Sequence, residues 1–145
     1  MYYFAYGSNM NHNQMKERCG EGKFKFIGRA YLKGYLFAYV GHSEYRKGAV
    51  ANIIEKEDSV VWGGLYEIDS ECLCKLDKYE GCPWVYQRKL LTVITDDGKE
   101  FQAYVYLRKD RIPGKPSEEY LKIVLSGAKD CNLPEDYIEK FLKVK

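Results

Sequence analysis

Histidine is scarce: His12 and His42 are the only two in 145 residues. Neither stands at ligand spacing from a cysteine, which speaks against a zinc site. There are five cysteines, Cys19, Cys72, Cys74, Cys82 and Cys131. Cys72 and Cys74 form Cys-x-Cys, not the paired Cys-x-x-Cys of metal sites. An odd count in a chain that opens without a signal peptide is expected to mean reduced thiols in a cytoplasmic protein. No Gly-x-Ser-x-Gly elbow occurs, so a hydrolase built on Ser8 or a cysteine lacks its usual setting. No apolar run approaches the ~20 residues that span a bilayer. Repeats and low-complexity stretches are missing as well. So is an excess of charge: 23 Lys and Arg face 21 Asp and Glu, interleaved, for a net +2. That pattern offers neither a nucleic-acid stripe nor a membrane-binding face.

What is present suits one domain over residues 1–145. A domain of this size buries roughly 70% of the surface its unfolded chain exposes. Nearly half the residues are hydrophobic, and 14 are tyrosine. Tyrosine favours sheets, and it also lines pockets that need an apolar wall with a polar tip.

Hydrophobic spacing orders the elements. Tyr2–Tyr6 reads as a buried strand that stops at Gly7-Ser8-Asn9. Met10–Cys19 has a weak helical pattern ended by Gly20. Phe24–Val40 reads as two strands broken by Gly28 and Gly34, and Val50–Ile54 and Val60–Ile68 as two more. Asp69 or Ser70 caps a short helix with Leu73, Leu76 and Tyr79 on one face, terminated by Gly81. Tyr86–Thr95 and Glu100–Leu107 flank Asp97-Gly98, the signal of a type I′ hairpin. Ser117 caps a helix with Leu121, Val124, Leu125 and Ala128 aligned. Pro134 opens another carrying Tyr137, Ile138, Phe141 and Leu142. Strands come first and helices later, so the expected class is α+β: a mostly antiparallel, barrel-like sheet with packed helices.

Two segments carry candidate chemistry. In Tyr6-Gly7-Ser8-Asn9-Met10, Gly7 permits a sharp turn and a close ligand approach. Ser8 and Asn9 are placed to cap the following helix, whose free N–H groups suit a carboxylate. In Tyr79-Glu80-Gly81-Cys82-Pro83-Trp84, Glu80 sits where a helix ends. The negative end of the helix dipole, with Tyr79, Trp84 and Tyr86 nearby, should raise its pKa. A carboxylate tuned in this way can take up and release a proton in one cycle.

Four stretches in order resemble the gamma-glutamylcyclotransferase family. They are Phe4–Met10, Val61–Tyr66, Leu76-Asp77-Lys78-Tyr79-Glu80-Gly81, and Pro116–Tyr120 with Gly127-Ala128-Lys129 and Leu133-Pro134. The resemblance spans almost the whole chain. It implies a cyclotransferase fold and release of 5-oxoproline and an amine or amino acid, with no cofactor and no metal. By position, Glu80 would be the general acid/base. Tyr6, Gly7, Ser8 and Asn9 would hold the gamma-glutamyl group, with Tyr86 and Tyr106 hydrogen-bonding its head. The spacing from Glu80 to Tyr86 is one residue shorter than in the animal enzyme. Tyr-Gly-Ser-Asn fits this branch better than the gamma-glutamylamine branch, whose loop reads Tyr-Gly-Thr-Leu. The implied partner is a small gamma-glutamyl substrate, without nucleic acid or membrane; a homodimer is also compatible. Two alternatives stay open: a cyclotransferase for gamma-glutamylamines or carrier-linked groups, and a non-catalytic small-molecule-binding module of the same fold. Arg46, Trp84 and the Arg108–Lys115 loop are candidates for the pocket mouth.

Overall fold

The β-rich pattern between residues 24 and 68 builds the frame. In the computed structural model, which describes residues 1–144, Phe24–Ser43 (β2) and Gly48–Ile68 (β3) are two long strands. They pair antiparallel along almost their whole length. Four shorter strands were expected here. The apparent breaks are irregularities within continuous strands. The register shifts between Phe26 and Gly28, between Lys33 and Tyr35, and between Val40 and Ser43. Gly28 and Gly34 have φ of 154° and 85°, so they bend β2 at bulges rather than end it.

Tyr2–Ala5 (β1) lies antiparallel on β3 and parallel to Glu100–Leu107 (β5). Gln87–Thr95 (β4) pairs antiparallel with β5 and closes on β2 through Ala30–Thr95 and Tyr31–Ile94. The order β1-β3-β2-β4-β5 is a closed barrel. One seam is parallel and the rest antiparallel, which is the α+β barrel expected from the sequence. The β4–β5 turn is not type I′, since Gly98 alone of its central residues has positive φ, at 80°. Gly98 N–H donates to Thr95 O, and Thr95 N–H to Lys99 O. This is a three-residue loop with its left-handed glycine last.

Helices His12–Cys19 (α1), Ser70–Glu80 (α2), Glu118–Asp130 (α3) and Glu135–Tyr137 (α4) complete the fold. α4 runs on into a π-helical turn over Ile138–Leu142. Asp69 and Ser117 cap α2 and α3, accepting from Cys72 N and Tyr120 N. The buried face of α3 is Tyr120, Val124, Gly127 and Ala128, while Leu121 and Leu125 are only half-buried. The face is turned from the expected one because Gly127 rests on the backbone that follows β1. A Cβ at Gly127 would lie 2.4 Å from Asn11 N and 2.7 Å from Met10 C.

Cys19 on α1 and Cys72 on α2 form a disulfide, 53 residues apart in sequence. This corrects the expectation of five reduced thiols; Cys74, Cys82 and Cys131 are free. Sequence spacing holds no sign of the pair, because only packing of α1 on α2 brings them together.

Gly127→Ala should cost about 1–3 kcal/mol, since two backbone atoms, not a flexible side chain, oppose the new methyl. Urea unfolding measures it. An unchanged midpoint would show that α3 can move off the turn without loss.

Candidate functional site

β1 is buried on both sides and delivers the chain to a tight turn. The Tyr6 hydroxyl donates to Tyr106 O at 2.5 Å. Ser8–Met10 then form a single 3-10 turn. Ser8 and Asn9 were expected to cap α1. Asn11 does so instead, accepting from Gln14 N, because the extra turn intervenes. Tyr66 of β3 pins the turn from below, its hydroxyl donating to Asn9 O at 2.8 Å. The Cys131 thiol, at the end of α3, donates to Met10 O at 3.3 Å.

The Asn9 side chain, in a residue 2% exposed, is the junction of the site. Its amide nitrogen donates to Tyr3 Oη at 2.9 Å and to Glu80 Oε1 at 3.3 Å. Its oxygen accepts from Gln14 Nε2 at 2.8 Å and Arg18 Nη1 at 3.1 Å. Four hydrogen bonds fill the capacity of one amide. The side chain therefore holds its neighbours and keeps nothing for a ligand.

Glu80 is the last residue of α2, ended by Gly81 in the left-handed region at φ 64°. The helix lays the Glu80 side chain inward, 17% exposed, with Arg18 Nη1 at 3.8 Å from Oε1. Burial raises its pKa above the ordinary value of 4.5. Attraction from Arg18, then Arg46, then Arg108 opposes this without cancelling it. The aromatic surroundings differ from expectation: Tyr79 and Trp84 are exposed, at 57% and 91%, so they contribute little desolvation. Tyr86, the third aromatic expected there, lines the same cavity as Glu80.

A cavity of about 440 Å³ opens here, and Glu80, Tyr6, Gly7, Ser8, Asn9, Tyr86 and Tyr106 all line it. The sequence reading thus named residues from four separate segments that meet at one place. Their hydroxyls have internal partners. Tyr86 Oη donates to Ala51 O at 2.8 Å, and Tyr106 Oη donates to Asp77 Oδ1 at 2.6 Å. Asp77 also pairs with Arg88, so Tyr106 braces α2 while its ring faces the cavity. Residues the sequence reading missed are Tyr3, Arg18, Ala51 and Tyr120. Tyr120 Oη accepts from Ala51 N at 3.0 Å, which leaves its proton for another acceptor. Tyr120 was missed because the α3 face was phased on its leucines. Arg18 had no signal, since its partner lies 62 residues away on another helix. Among the described residues, no group of three or more His, Cys, Asp and Glu is placed to hold a metal ion. Among the described residues, too, no helix is long and apolar enough to cross a membrane.

The family model for gamma-glutamyl cyclotransferase, AIG2-like proteins matches residues 3–127. The chain belongs to this family. The Mus musculus protein named gamma-glutamylcyclotransferase is 30% identical over 148 residues, covering 99% of this chain and 78% of its own. The Homo sapiens protein of that name is 30% identical over 149 residues, with the same coverage. A solved structure titled gamma-glutamyl cyclotransferase superposes with a TM-score of 0.92 at 29% identity. It covers all of this chain and 88% of that one. The cyclotransferase resemblance drawn from the four sequence stretches therefore holds over the whole barrel.

Two expectations follow from the geometry. A Cβ at Gly7 would lie 2.8 Å from Ala51 Cβ, and Ala51 anchors both Tyr86 and Tyr120. Gly7→Val should raise KM for a gamma-glutamyl substrate by about tenfold or more through this displacement; unchanged kinetics would contradict the loop's part in the site. The second concerns pH. A carboxyl whose pKa rises on folding binds its proton more tightly in the native state. Its contribution to stability is therefore lost as pH climbs from the unfolded value through the raised one. Glu80→Gln lacks this loss. Its melting temperature should gain on the parent as pH climbs above the ordinary carboxyl value of 4.5, and a gap that moves the other way would refute the raised pKa.

Proposed function

We propose that the chain is a gamma-glutamyl cyclotransferase in which Glu80 moves the proton. The observation that carries this reading is a largely buried carboxylate, with raised pKa, held by Asn9 and Arg18 beside the Gly7–Asn9 turn. The names of the mouse and human relatives agree with it.

A gamma-glutamyl amide contains its own nucleophile. The α-nitrogen bonds to the γ-carbonyl carbon, the bond from that carbon to the amide nitrogen breaks, and a five-membered lactam, 5-oxoproline, is formed. Bending the substrate for this attack draws on effective molarities that reach ~10⁵–10⁸ M in well-oriented systems. Two protons leave the α-nitrogen and the departing amine takes up two. Glu80 as a carboxylate accepts one and hands it to the leaving nitrogen; the other balances through solvent. A single acid/base of this kind contributes ~10²–10⁴-fold.

The other lining residues divide the remaining work. Ser8 and Asn9 open a helical turn, so their N–H groups have no partner within it. They are offered to the α-carboxylate or the developing oxyanion. Tyr120 gives its free hydroxyl proton to the glutamyl head, with Tyr86 beside it across Ala51. Tyr6 and Tyr106 wall the cavity and fix its shape. Asn9 acts through Glu80 as a positioning residue.

Glu80→Gln should fold and bind substrate, while kcat falls by at least about 10²-fold. Release of 5-oxoproline from a gamma-glutamyl dipeptide measures it. A variant as fast as the parent would remove Glu80 from the mechanism.

A further inference from the structure

The cavity holds more positive charge than its chemistry uses. Arg18, Arg46, Lys78 and Arg108 line it, and Glu80 is the one acid among the lining residues. Arg18 is matched to Glu80. Lys78 is exposed at the rim. Arg46 and Arg108 remain, Arg108 with only Asp110, which lies outside the lining, at 4.0 Å. The glutamyl head has an α-ammonium and an α-carboxylate, so it brings no net charge to meet them.

Both arginines are built into place. Arg46 is stacked between two rings, 5.1 Å from the Tyr45 centroid and 5.2 Å from that of Tyr120. Its Nη2 donates to Gln14 Oε1 at 2.8 Å and to Ser8 Oγ at 3.5 Å, which leaves Nη1 and Nε for a ligand. Arg108 lies over the Tyr86 ring at 5.2 Å. Its backbone is clamped by the fully buried Asn52, which accepts from Arg108 N at 3.0 Å and donates to Arg108 O at 2.9 Å. Its Nε is buried without a partner among the described residues, and Asp110 is 4.0 Å from Nη2. Tyr120 and Tyr86 bond the two polar groups of Ala51. The two guanidinium–tyrosine pairs thus flank one backbone unit of β3.

Planar guanidinium forks with vacant donors are carboxylate readers. A desolvated donor without a partner is costly until a ligand supplies one. We propose that Arg46 and Arg108 select substrates whose leaving portion is anionic, and that this chain prefers an acidic amino acid as the leaving group over a neutral amine. This inference rests on the proposed cyclotransferase activity. The chemistry is unchanged: the amide bond to the acidic residue breaks and its nitrogen receives the proton from Glu80.

Three probes carry none, one and two carboxylates on the leaving group: gamma-glutamyl ethylamide, gamma-glutamyl alanine and gamma-glutamyl glutamate. For the parent enzyme, kcat/KM for 5-oxoproline release should rise about tenfold with each added carboxylate, the order of one charge-assisted hydrogen bond. Arg46→Gln and Arg108→Gln should each cut the glutamate-to-ethylamide ratio by about tenfold or more. A ratio near one in the parent, or one that both variants leave unmoved, overturns the proposal. The same ratio is read as Kd on Glu80→Gln, which keeps the substrates intact. Tight binding of gamma-glutamyl glutamate with no turnover by the parent would sink the proposed activity and leave the charge preference standing. Equal Kd for all three probes would sink the preference whatever the turnover.

Discussion

One buried amide joins the two halves of the site. Asn9 reaches from the turn after β1 to the acid at the end of α2, and to Tyr3 and Arg18 on the way. Every arrangement around it serves that bridge. Tyr66 fixes the backbone of Asn9, Gly127 lets α3 sit against the next residues, and the Cys19–Cys72 link ties α1 to α2. A half-satisfied buried network is worse than an apolar core, whereas a complete one fixes a single geometry. Here the amide is complete. The turn and the acid cannot shift independently.

Electrostatics set the second constraint. Burial pushes the Glu80 proton affinity up, and the arginines pull it down. The balance falls on the side of burial, the direction the proposed proton transfer calls for. Such a placement costs stability, since a charge is held where solvent is sparse. The three guanidiniums that moderate this cost also give the cavity its sign. The proposed proton transfer and the proposed leaving-group preference then draw on one charge pattern.

Much of this was legible in the chain. The Leu76–Gly81 stretch, a capped helix ending in Glu-Gly, gave both the helix and the acid. Gly7–Asn9 stood out as a turn suited to a ligand, Tyr6, Tyr86 and Tyr106 came from the family resemblance, and all line the cavity. What escaped has physical causes. Gly28 and Gly34 looked like strand ends because a bulge and a break use the same residue. Asn9 looked like a cap because local spacing cannot reveal a partner 71 residues on. The disulfide and the Arg18 pairing exist only once α1 packs on α2. Tyr120 was lost when its helix was phased on leucines, although the helix turns instead to seat Gly127.

Glu80 is proposed as a buried proton shuttle within the cavity, not a surface acid at a helix end. Titration of its side-chain carboxyl carbon by NMR in the folded protein tests this most directly. A buried shuttle requires a midpoint above the ordinary carboxyl value of 4.5, coinciding with the acid limb of kcat/KM. A midpoint at or below that value, or a limb that ignores it, would contradict the account.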